Sequence, residues 1–188
     1  MSAIKANQPE STVLPGITIF DTEDKGSLKE FAGVLSSVGG KAFYVSGHQE
    51  ITELILAEHG PAAKIMSPLP EFKALCDERN EAISSAHDLY DVDVAILKAH
   101  FGVAENGAVW LTEGQMGHRV LPFICQHLAV IIEAKAIVPT MHQAYGLIDG
   151  TTYGFGTFIA GPSKTADIEQ SLVIGAHGPR SMTVFIMQ

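Results

Sequence analysis

The stretch Gly161-Pro162-Ser163-Lys164-Thr165-Ala166-Asp167-Ile168-Glu169, followed by Gly175-Ala176-His177-Gly178-Pro179, concentrates most of the chain's candidate chemistry. Apolar residues 157–160 lead into it and residues 183–187 leave it, so the pattern predicts strand, tight turn, helix, loop, strand. Ser163 is placed to cap a helix beginning at Lys164, whose free N–H groups would favour an anion, and Gly175 suits its end. Lys164 and Thr165 sit at that start, where a cation opposes the helix dipole unless an anion is bound nearby. At 100° per residue Glu169 falls among Thr165, Ile168, Leu172 and Val173, making it either a satisfied buried acid or a site residue. Asp167 complements the dipole of a first turn. His177, in a loop stiffened by Gly175, Gly178 and Pro179, has the side chain for general acid–base work near neutral pH, or it braces that loop.

Two other positions stand out. Arg119 lies between a Gly117-His118 loop and an apolar run, where a guanidinium is either a surface charge or a bidentate clamp for a carboxylate or phosphate. Glu105 precedes Asn106-Gly107, a hairpin signal because both residues tolerate positive φ; the turn accounts for Asn106 and Gly107 but not for a carboxylate at the mouth of a sheet. The eight histidines show no H-x-x-x-H or H-E-x-x-H spacing, so no metal site is expected. Neither a P-loop nor a glycine-rich dinucleotide fingerprint in the right context is present, and no cofactor is bound by a recognisable motif.

The elements that must position these residues follow from periodicity. Ser27 and Glu30 form a capping-box pair ahead of Leu28, Phe31, Leu35 and Val38 at helical spacing, stopped by Gly39-Gly40. A strand over 41–45 precedes a helix with Ser46 and Gln49 as its capping pair and Ile51, Leu54 and Ile55 inward, ended by Gly60-Pro61. A strand over 63–66 follows, then helical patterns with Phe72, Leu75 and Cys76 on one face and over 81–89. Residues 92–103 and 108–111 read as strands joined by an antiparallel hairpin, 114–119 as a polar loop, 128–132 as a buried strand, and 139–148 as a helix with Met141, Ala144, Tyr145 and Ile148 inward. The expected fold class is α/β in three layers: a mainly parallel sheet covered by helices, plus an antiparallel hairpin.

A length of 188 residues with 46% hydrophobic composition predicts one domain over 16–188 after a loosely ordered 1–15. A net charge of −9 with 12 Lys plus Arg argues against nucleic acid or an anionic membrane as partner. No window reaches the length of a membrane span and residues 1–15 lack the apolar core of a secretion signal, so the expected location is cytoplasmic. Cys76 and Cys125, far apart and without a C-x-x-C, fit a reducing compartment and offer no cluster-binding set.

The 161–169 and 175–179 stretches resemble the signature of the LUD domain, the lactate-utilization C-subunit family. Ala104-Glu105-Asn106-Gly107-Ala108 is similar to that family's Ala-Glu-Thr-Gly-Thr turn, with Asn106 and Ala108 replacing its threonines. The Arg119, Pro122 and His127 spacing also matches. The resemblance implies a fold similar to the ribose-phosphate isomerase and CoA-transferase superfamily and a link to oxidation of L-lactate to pyruvate, with iron–sulfur clusters expected only on partner subunits. It implies one pocket in which Asn106, Gly107, Arg119, Gly161, Ser163, Lys164, Thr165, Asp167 and Gly178 bind a small carboxylate or phosphate, while Glu105, Glu169 or His177 moves a proton. The alternatives are a stand-alone enzyme acting on a phosphorylated sugar or acyl-CoA, and a metabolite-sensing assembly module; a homodimer fits each.

Overall fold

The computed structural model describes residues 7, 27–78, 83, 85–148, 150–166 and 172–188. Asp167 and Glu169 therefore lie outside the described residues, as does the expected 1–15 tail apart from Asn7.

Five parallel strands form the central sheet: β1 (Lys41–Val45), β2 (Ile65–Met66), β3 (Val94–Lys98), β6 (His127–Glu133) and β11 (Ser181–Met187), in the order β1-β11-β6-β3-β2. The near-continuous apolar runs mark strands buried on both faces. Their alternate side chains divide between two cores: Val94, Ile96, Ala129, Ile131 and Phe185 enter one, and Ala95, Leu97, Val130, Ile132, Val184 and Ile186 the other. Each fully buried Leu, Ile or Val is worth about 1.5–3 kcal/mol, so the two-sided sheet is the main store of stability.

Over the first face lie α2 (His48–His59), through Ile51 and Ile55, and a 3₁₀ helix (Pro70–Leu75), through Phe72. The second face is covered by α1 (Leu28–Ser37), through Phe31 and Leu35, and by a second sheet, in the order β7-β4-β5-β8. Its strands are β4 (Phe101–Val103), β5 (Ala108–Thr112), β7 (Ile137–Val138) and β8 (Gly156–Ile159). The β4–β5 hairpin is antiparallel, as Asn106-Gly107 predicts, with Asn106 Oδ1 accepting the Ala108 N–H at 3.0 Å. Outside this sheet packs α5 (Met141–Ile148), whose Ala144 joins Phe101, Val103 and Trp110 in a third cluster. The α/β class with a mainly parallel sheet is thus observed, with a sheet rather than helices supplying much of the second cover.

Several local expectations are corrected. The helix expected from Lys164 to Gly175 does not form: β9 (Lys164–Ala166) and β10 (Leu172–Ile174) pair antiparallel, Val173 opposite Thr165. Thr165, Val173 and Ile174 are β-branched residues that suit a strand, and their helical spacing was a weaker constraint than this pairing. Ser163 is no helix cap, and the expected anion-binding helix start is absent. The second helix starts after Gly47 rather than on a Ser46–Gln49 pair; Glu50 instead reaches back to accept the Ser46 N–H at 2.9 Å. The 114–119 loop opens with a short helix, α3 (Glu113–Met116), followed by α4 (Leu121–Ile124). Within 81–89 a 3₁₀ turn covers Ala86–Leu89. On α5, Tyr145 is 62% exposed and does not face inward.

Candidate functional site

The residues of the expected pocket divide between the two ends of the second sheet. Glu105, Asn106 and Gly107 precede β5, and Glu113, which holds Arg119, follows it; five residues of strand separate them by roughly 17 Å. Glu105 Oε1 accepts the Met141 N–H at 3.0 Å, so this carboxylate caps the first turn of α5. Gly107 and Gly161 adopt positive φ and meet the C-terminal end of α1: a Cβ on Gly107 would lie 2.8 Å from the Leu35 backbone, and one on Gly161 2.7 Å from Val38 O. At the other end of the sheet, Arg119 Nε donates to Glu113 Oε2 at 2.7 Å, Glu113 Oε1 accepts the Gly154 N–H at 2.8 Å, and the guanidinium lies over the Phe155 ring. The Gly154 N–H and Arg119 hold the Glu113 carboxyl below the usual carboxylate range. Arg119 is thus already paired, though exposed.

Ser163, Gly178 and Pro179 are brought together by the loop after β10. The Ser163 N–H donates to Pro179 O at 2.8 Å and Ser163 O accepts from Gly175 N at 3.0 Å, while Gly178 leaves room for the Ser163 side chain. Lys164 and His177 are exposed, and Thr165 is half-buried. This clasp sets the exit of the loop, where Arg180 immediately precedes β11. The Arg180 N–H donates to Gln126 O at 2.8 Å, and its stem packs on Gly175, where a Cβ would collide with it.

Arg180 opens onto a polar cleft of about 500 Å³ at the amino edge of the parallel sheet, shared with Lys64, Asp91, Asp93, Gln126 and His127. Its walls are the entrances of four neighbouring strands: residue 64 before β2, 93 before β3, 126–127 at β6 and 180 before β11. His127 Nδ1 is hydrogen-bonded to Ser181 Oγ at 2.8 Å, which fixes the ring and leaves Nε2 without a hydrogen bond among the described residues. Burial, with help from the neighbouring His59 4.4 Å away between ring centres, lowers its pKa, so the ring is neutral near pH 7. Lys64 pairs with Asp91, whereas no carboxylate pairs with Arg180 among the described residues. A free guanidinium beside a neutral imidazole can pair a carboxylate and accept a hydrogen bond from a hydroxyl.

Ligands of open α/β sheets more often bind outside the carboxyl ends of the strands. At that edge of this chain several polar groups are paired: Lys98 with Glu133 at 2.8 Å, and His100 with both Thr112 and Gln115. At the amino edge, Arg180 and the Nε2 of His127 have no such partner among the described residues. Neither Arg180 nor the role of His127 stands out from spacing alone. The available signal is positional, since Arg180 directly follows the Gly175–Pro179 loop and His127 ends the Arg119-Pro122-His127 spacing.

The LUD domain family model matches residues 72–187, which contain β3, β6 and β11 of this cleft. The chain belongs to the LUD domain family. Among similar proteins, the lactate utilization protein C of Bacillus pumilus (strain SAFR-032) is 36% identical over 91 residues, covering 45% of this chain and 38% of that protein. That of Geobacillus kaustophilus (strain HTA426) is 28% identical over 139 residues, covering 70% and 58% respectively. This LUD chain thus spans about half the length of the curated relatives it matches. The crystal structure of a DUF162 family protein from Deinococcus radiodurans shares the fold, with a TM-score of 0.63 at 20% identity over 86% of this chain and 96% of that one.

Among the described residues of this LUD domain, no three His, Cys, Asp or Glu side chains are grouped so as to hold a metal ion. Cys125 is buried, its thiol pushed up to about 12, and Cys76 is half-buried. No described helix is long and apolar enough to cross a membrane.

Proposed function

We propose that this chain is a component of an L-lactate utilization system, binding a small 2-hydroxy- or 2-oxo-carboxylate in the amino-edge cleft and acting with separate subunits that carry iron–sulfur clusters. The names of its relatives support the system. The observation that carries the site is that Arg180, without an ion pair among the described residues, and His127, with no hydrogen bond at Nε2 among them, line one cleft. Arg180 pairs the ligand's carboxylate, and His127, held by Ser181, hydrogen-bonds the oxygen on the adjacent carbon. Residues 161–163 and 175–179 serve this site by fixing the loop that delivers Arg180, and the location follows as cytoplasmic with the redox partners.

Isothermal titration with L-lactate and pyruvate tests the reading. Arg180 is exposed, so its pair with the ligand is screened by water and is worth about 1 kcal/mol, and Arg180→Ala should weaken binding about five-fold. His127→Ala should weaken it less, and Arg119→Ala should leave it near the wild-type value, because Arg119 is held by Glu113. Unchanged binding in Arg180→Ala, or loss in Arg119→Ala alone, would overturn the assignment.

A further inference from the structure

The amino-edge cleft leaves a second, chemically different cavity unexplained. It measures about 290 Å³ and lies between the end of β5, the last turn of α5 and the loop at residues 151–153. We propose that it is a binding site for an uncharged planar conjugated ring, the class that includes nicotinamide, quinone and flavin rings.

Aromatic faces build its walls. Phe101 and Trp110 lie 6.5 Å apart at 20°, and Tyr153 stands edge-on to Trp110 at 5.6 Å and 77°. Phe158 supports the indole from behind at 4.5 Å. Gly156 permits this arrangement: a Cβ there would lie 2.5 Å from Trp110 Cζ2 and 3.0 Å from Tyr153 Cε2. Flat faces with edge-on partners at such spacings suit another π-system.

Thr151, Thr152, His100 and Thr112 supply the polar part of the lining beside the apolar Leu147 and Ile148. The hydrogen bonds around His100 determine its proton. Thr112 Oγ1 donates to Gln115 Oε1 at 2.6 Å, so His100 Nε2–H donates to Thr112 at 2.9 Å, and Nδ1 accepts from the Gln115 amide at 3.2 Å. The ring is therefore neutral, and no charged side chain lines the cavity. A phosphate or free carboxylate finds no counter-ion there, whereas an uncharged ring lies against the aromatic and aliphatic lining without needing one. The volume lies at the lower limit of ligand pockets, which favours one to three fused rings over a long chain.

This site shares no lining residue with the amino-edge cleft, so the two proposals fail separately. Trp110 is the only tryptophan, which makes its fluorescence and its indole N–H resonance direct reporters of the slot. The wild-type chain is titrated with nicotinamide, menadione and riboflavin, and with cyclohexanecarboxamide as the puckered counterpart of nicotinamide. Expected is saturable quenching and a shifted indole resonance with at least one planar probe, and at least ten-fold weaker binding of cyclohexanecarboxamide than of nicotinamide. Tyr153→Ala should weaken the planar probe about five-fold, the loss of one aromatic contact, and Arg180→Ala should not change it. An indole resonance that moves with none of the planar probes, or equal binding of the planar and puckered carboxamides, overturns the proposal. Both comparisons use the wild-type chain and stand even where the variant fails to fold.

Discussion

At the scale of single residues, the glycines separate by what surrounds them. Gly161 has φ +74 and a neighbouring carbonyl where a Cβ would stand, so its substitution combines backbone strain with a collision. Gly161→Ala should lower stability by about 1–3 kcal/mol, read from the urea midpoint. Gly33, exposed within α1 and with nothing near its missing Cβ, should behave oppositely. Gly33→Ala is expected to raise stability by roughly 0.5–1 kcal/mol through helix propensity alone. Equal effects at the two positions would contradict this account of the turn. The LUD signature glycines thus act through the fold, keeping the 161–163 clasp tight against α1.

At the scale of elements, Glu105, expected as a catalytic carboxylate, accepts a hydrogen bond from the first turn of α5. The eight-residue α5 is too short to be stable alone and depends on its packing through Ala144 and on its cap. Glu105→Ala should therefore cost about 0.5–2 kcal/mol of stability while leaving lactate binding unchanged, and Glu105→Gln, which keeps an acceptor oxygen, should lose less. A Glu105→Ala protein of full stability but without ligand binding would return the residue to the site. The β9–β10 hairpin makes the converse point: an element expected as an anion-binding helix instead anchors, through Ser163, the loop carrying Arg180.

At the scale of the whole molecule, stability should depend on pH in two windows. His100 and His127 both have lowered pKa values, chiefly from burial, so the unfolded chain binds protons that the folded chain refuses. Their contribution is present above the ordinary value of 6.5 and is lost as pH falls through the folded values below it. Glu58 and Glu133, lowered mainly by hydrogen bonds from Lys41 and Lys98, act likewise at more acidic pH, below 4.5. Urea midpoints measured from pH 8 downward should first fall below about 6.5, and His127→Gln should flatten that first slope. A flat profile down to pH 5 would refute the assignment of both rings.

The sequence by itself determined the parallel core, because residues buried on both faces must be apolar throughout, as in the runs of β3 and β6. It also determined the β4–β5 hairpin through Asn106-Gly107, and the family through two long stretches of matched residues. Where those stretches act was decided only by tertiary structure. Thr165, Leu172 and Val173 satisfy helical spacing as well as strand composition, and antiparallel pairing of β9 with β10 across the 167–171 connection chose the strand. Likewise, Arg119 and Arg180 look alike along the chain. Glu113, six residues away, neutralises one, while parallel pairing brings the entrances of β6 and β11 together and sets the other beside His127.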